Sequence, residues 1–208
     1  MDASDGGEGR GAALTIRAAA VRLGAYRWVE QRLFELTGAW AGAPGLGDAA
    51  RVHLFEASAQ HAWHAQLWAD RLPVLAGVDP ERLTRPVGGW APALLAALEP
   101  GKVPEPNPGA EEARGLRFVA GLAVEVLPRL VGSYRRFERR LVPVTDGPSI
   151  RALTLVLRDV EEEQAAAVQL LGGLEGSAAA EAWAHALGDR MVHHHGDLFP
   201  WPEADSAW

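Results

Sequence analysis

From about Thr15 to Trp40, Ile16, Ala20, Leu23, Tyr26, Glu30, Leu33 and Thr37 fall along one stripe when the chain is wound at 3.6 residues per turn, which predicts a first helix. Glu30 is the polar exception in that apolar row. Glu35 shares its line with Gln31 and Trp28, a more polar face, and is the weaker candidate for an inward carboxylate. The run ends in the breakers Gly42, Pro44, Gly45 and Gly47, after which Asp48 is placed to cap a second helix reaching Leu72, just before Pro73. There Leu54, Ser58, His61, Ala65, Trp68 and Leu72 form the stripe, and His64 borders it one turn above His61. The two helices make an antiparallel hairpin, and both imidazoles are expected to point inward.

Residues 73 to 107 lose the period and carry seven of the chain's prolines, with Pro108 just beyond, so they read as a long connection with one helical piece, Trp90 to Leu98. A connection of this length between helical hairpins implies a crossover along a bundle. Asn107-Pro108 then opens a third helix carrying Leu116, Val119, Ala123, Leu127, Leu130, Tyr134, Phe137 and Leu141, with Pro128 expected to kink it. Asp146-Gly147-Pro148 is the expected turn. Ile150, Leu153, Leu157, Val160 or Glu161, Gln164, Val168 and Leu171 carry a fourth helix, and Ser177 to about Met191 a fifth. The chain divides into a disordered N-terminal segment (1–14), a helical bundle (15–175), and a C-terminal helix with a docking tail (176–208) that contains His193, His194, His195, Trp201 and Trp208. Three consecutive histidines on an irregular tail converge poorly on a metal and read better as charge partners for a helix C-terminus.

Composition narrows the function classes. The formal charge of -7 argues against a nucleic-acid surface, and the cluster Arg135, Arg136, Arg139 and Arg140 sits near a helix end, where the macrodipole favours cations. With no cysteine, disulfides, iron-sulfur clusters and thiolate chemistry are excluded, leaving nitrogen and oxygen ligands for any metal. The acidic, glycine-rich start lacks the apolar core of a secretory signal, and no run reaches the roughly 18 apolar residues of a membrane span, so a cytoplasmic location is expected.

The chemistry concentrates on the inward polar residues. Residues equidistant from a hairpin turn lie level, and Glu30 and His61 are placed almost equally about residue 45. About a turn near residue 147, Glu161 is level with residue 133, beside Tyr134. Glu161-x-x-Gln164 then mirrors His61-x-x-His64 as an i, i+3 inward pair.

Two helical hairpins, a long crossover, and inward polar pairs on the second and fourth helices make the chain resemble the ferritin-like superfamily of four-helix bundles over residues 15 to 175. The resemblance implies a metal centre, held in that family by a Glu from each of helices one and three and a Glu-x-x-His from each of helices two and four. Glu30 stands at the helix-one position, His61 and His64 at the helix-two pair, with His where the family has Glu. Glu161 and Gln164 stand at the helix-four pair, with Gln where the family has His, and helix three offers Tyr134 but no level Glu. The expected metal ligands are Glu30, His61, His64 and Glu161, with Tyr134 and Gln164 as catalytic or substrate-facing groups. Two carboxylates and two imidazoles suit one ion of iron, manganese or zinc. The function implied is an iron-dependent oxidoreductase or oxygenase acting on a small organic molecule, with a homodimer as the assembly considered. The alternative is a metal-free bundle serving as a binding or accessory subunit, its Glu30 and Glu161 satisfied by His or Tyr donors in a hydrogen-bonded core. A cofactor-free acid-base enzyme using His61 or His64 with Glu30 is a third reading.

Overall fold

A computed structural model describes residues 13–74, 76–88, 90–104 and 111–191, and among these there are helices and no strands. Helix α1 (Ile16–Ala41) begins where Thr15 turns extended and its hydroxyl accepts the Ala18 N–H at 3.1 Å, satisfying a donor with no partner inside the helix. Helix α2 (Asp48–Ala69) is capped by Gly47, so Asp48 is its first helical residue and not its cap; there its charge still faces the positive helix end. The connection carries two short helices, α3 (Pro80–Leu83) and α4 (Trp90–Ala97). Beyond it come α5 (Glu111–Ala120), a π-helical stretch (Gly121–Val126), α6 (Leu127–Glu138), α7 (Pro143–Gly172) and α8 (Ser177–Met191).

Two sequence expectations are corrected. The third helix is not α-helical throughout. It passes through wider π turns over Gly121–Val126, and Pro128 follows directly in the first residues of α6. Nor is Asp146-Gly147-Pro148 a turn. α7 already starts at Pro143, a favoured first position, and the Asp146 carboxylate accepts the Val142 N–H at 2.7 Å, which draws the segment into the helix. The expected Asn107-Pro108 start, His193 to His195, Trp201 and Trp208 lie outside the described residues. No described helix is long and apolar enough to cross a membrane.

Side-chain pairings give the helix directions. Tyr26 and Glu30 of α1 meet Ser133 and Tyr134 of α6, while Trp40, later in α1, stacks on Phe118 of α5 at 4.7 Å, so α1 and the α5–α6 unit are antiparallel. On α2 and α7, His61 faces Glu163 and His64 faces Asp159, which makes that pair antiparallel too. The connection runs along α1: Glu81 pairs with Arg27 at 2.9 Å, Glu99 with Arg32 at 3.0 Å, and the Leu98 carbonyl accepts from Trp40 Nε1 at 2.7 Å. Gly24 permits this approach, because a Cβ there would stand 2.1 Å from the Leu83 carbonyl oxygen.

Trp40, Trp68, Tyr26, Tyr134, Phe118 and Phe137 are all buried in the resulting core. Each such ring removes roughly 150–250 Å² from water, on the order of 4–6 kcal/mol of transfer free energy at about 25 cal/mol per Å². Tyr26, Trp68, Tyr134 and Phe137 form one aromatic cluster, with ring centroids 4.6–6.5 Å apart. That cluster floors the polar site.

Candidate metal centre

Glu30, His61 and His64 come together at zero exposure between α1 and α2, and one ligand atom of each lies within 4.8 Å of the others. Glu30 Oε2 is 2.6 Å from His61 Nδ1 and 3.5 Å from His64 Nδ1. The other Glu30 oxygen, Oε1, accepts a short hydrogen bond from the Tyr134 hydroxyl, which in turn accepts from Trp68 Nε1 at 3.2 Å. Tyr134 thus touches the carboxylate and stands behind it. Its hydroxyl pKa is raised well above the ordinary 10.0 by burial and by the Glu30 charge, so it stays a donor.

The helix-four contribution differs from the expected one. Glu161 does not reach the histidines: its carboxylate accepts from Arg135 Nη2 at 2.6 Å on the exposed seam of α6 and α7. Residues 135 and 161 are level, but the side chain is on the wrong face. The buried arc of α7 is wide: Leu153, Val160 and Leu171 of the expected row are buried, Val168 of that row is exposed, and Ala152, Val156, Asp159, Glu163 and Ala167 are buried beside it. Gln164 is half-buried. Asp159 and Glu163, which the sequence reading missed, are the carboxylates that face the site. Asp159 Oδ2 lies 3.3 Å from His64 Nε2, while its Oδ1 accepts from Arg158 Nη2 at 3.0 Å. Glu163 Oε2 lies 3.2 Å from His61 Nε2, within ion-pair distance but off the line of a hydrogen bond. His61 Nε2, His64 Nδ1 and both Glu163 oxygens are therefore buried without a hydrogen-bond partner. The missed signal was spacing: Asp159 and Glu163 stand i, i+4 on one helix face, in line with the buried Val156 and Ala167.

Charge couples the carboxylates and imidazoles of the site. Burial alone would raise the Glu30 pKa, but the charges of His61 and His64 and their hydrogen bonds outweigh it and bring it from 4.5 to about 2. Burial alone would lower the His61 pKa, but Glu163 first, and then Glu30, raise it from 6.5 to about 10. An ionised carboxylate and an imidazolium are thus held side by side in the core, each needing the other.

Comparison of the chain with protein-family models, with curated proteins and with solved structures finds no match.

Proposed function

We propose that this chain is a ferritin-like helical bundle that holds one metal ion through Glu30, His61 and His64 and uses it for oxidoreductase chemistry on a small molecule. The observation that carries the reading is the convergence of one carboxylate and two imidazoles, all fully buried, with ligand atoms within 4.8 Å. Two nitrogens and one oxygen form the donor set that suits iron, manganese or zinc and leaves coordination positions for a substrate. His64 Nδ1, buried and without a partner, is the atom such an ion would satisfy. Helix order supports the ferritin-like part, since α1 runs antiparallel to the third helix and the connection between the hairpins follows α1 lengthwise. A bound iron would supply a one-electron couple and a Lewis acid. The chain's residues supply the rest: Glu30 and the histidines bind, Tyr134 fixes the Glu30 carboxylate from behind, and the packed aromatic cluster excludes water. Because the three ligands have no exposure, the substrate has to be small enough to pass between packed helices.

A second reading rests on a different observation. Glu30 already has hydrogen bonds from both His61 and Tyr134, which is how a metal-free core network would satisfy it. The experiment separating the two is metal analysis of untagged protein after anaerobic reconstitution with iron, manganese or zinc. About one ion per chain, lost in Glu30→Ala and His64→Ala, is the result expected for the metal centre, followed by metal-dependent oxygen uptake. No retained ion with any of the three overturns it in favour of the network.

A further inference from the structure

We propose that Asp159 and Glu163 of α7 are positioning residues that take the Nε2–H groups of His64 and His61, so that both rings present Nδ1 to one divalent ion beside Glu30. The inference rests on the metal-centre reading and adds which atoms bind and what aims them.

The argument comes from the two sides of each ring. In an imidazole the two nitrogens diverge, so a ring with Nδ1 toward one group directs Nε2 away from it. Glu30 Oε2 is the common neighbour of both Nδ1 atoms, at 2.6 and 3.5 Å. The α7 carboxylates lie on the opposite sides, Glu163 at 3.2 Å from His61 Nε2 and Asp159 at 3.3 Å from His64 Nε2. The set whose ligand atoms lie mutually within 4.8 Å contains Glu30 and the histidines and not Glu163, so the α7 carboxylates are outer partners. An outer carboxylate on the far nitrogen fixes the tautomer, holds the ring plane and makes the ligating nitrogen more basic. Asp159 is itself held, because its second oxygen is tied to Arg158. Glu163 has no hydrogen-bond partner on either oxygen, so a small turn of its carboxylate is free to align it on His61.

The test uses the full chain labelled with ¹⁵N-histidine and loaded with zinc, whose lack of unpaired electrons leaves the ring signals sharp. Long-range ¹H–¹⁵N correlation reads which nitrogen of each ring carries hydrogen and which carries the ion. Two rings with metallated Nδ1 and protonated Nε2 are expected. In parallel, Glu163→Gln and Asp159→Asn are each expected to weaken zinc binding about 10- to 100-fold, the usual effect of removing such a partner. Glu161→Gln, on the outer face, should bind as the parent does. Metallated Nε2 on either ring, or both variants binding within about twofold of the parent, overturns the assignment while leaving the metal centre standing. If a variant fails to fold, the ring signals of the parent still decide. A parent that binds no zinc removes this inference and the metal centre together.

Discussion

Removing His61 from metal-free protein exposes the electrostatics of the core most directly. In His61→Ala, Glu30 Oε2 loses its 2.6 Å partner and Glu163 loses the imidazole 3.2 Å from its Oε2, and both carboxylates are buried. Truncating one side of a buried ion pair costs about 3–5 kcal/mol, because the remaining charge stays desolvated. For a chain of 208 residues, where 1 kcal/mol moves the melting temperature by roughly 2–4 °C, this is a fall of about 6–20 °C. The sign of the pH dependence is set by the stranded carboxylates. Burial raises the Glu30 pKa and His61 is the first of the charges that lower it, so without the imidazolium Glu30 destabilises the variant most at pH 7 and progressively less as it takes up a proton toward pH 5. Circular-dichroism melts of parent and variant in chelator at both pH values measure this. A deficit below about 1 kcal/mol at pH 7, or one that does not shrink at pH 5, refutes the buried ion pair. A melting temperature of the untreated parent that falls in chelator measures the additional contribution of an ion.

The remaining predictions concern separate parts of the fold. In the chelated parent, the raised His61 pKa stabilises fully below 6.5 and is lost as pH climbs through about 10, whereas the lowered Glu30 pKa stabilises above 4.5 and is lost toward about 2. Denaturant midpoints should therefore be highest between about pH 4.5 and 6.5 and fall on both sides. Tyr134→Phe removes a charge-assisted hydrogen bond to Glu30 and the acceptor for Trp68 Nε1, and should cost about 1.5–3 kcal/mol in denaturant unfolding. Gly188→Ala would put a Cβ 2.1 Å from the Glu125 carboxylate, which already pairs with Arg129 and His185. Overpacking of about 1–3 kcal/mol should loosen α8 and show as faster proteolysis near Gly176, while the metal stoichiometry stays unchanged.

The residues of the first hairpin were legible because they obey two simple rules. Period 3.6 set Glu30 and His61 on inward stripes, and counting from the Gly42–Gly47 breakers made them level. Tyr134 was legible as the inward polar group of its helix for the same reason. α7 was legible in part: Leu153, Val160 and Leu171 of the expected stripe are buried, but of the two residues offered at one position, Val160 or Glu161, it is Val160 that turns inward. Glu161 lies about 160° around the helix from Asp159 and Glu163, and the buried arc is wide enough to take in those two carboxylates beside the apolar stripe. The π turns before Pro128 were illegible for another reason. A proline states only that one donor is missing, and not how the turns before it are wound.

The histidine-carboxylate pairs also act as a ruler between two helices. On α2 the histidines are three residues apart, about 4.5 Å of rise, and on α7 the carboxylates are four apart, about 6 Å. If α7 slid by one turn in one direction, Ala167 would stand against His61; in the other, Val156 would stand against His64. Either way one ring would face hydrocarbon and one carboxylate would be stranded, at a cost on the order of 1–3 kcal/mol or more for each unmet polar group. Apolar side chains alone tolerate such a shift, because one methyl replaces another. The buried pairs therefore supply what the rest of the α2–α7 seam lacks, a single permitted alignment, and they hold it whether or not an ion is bound.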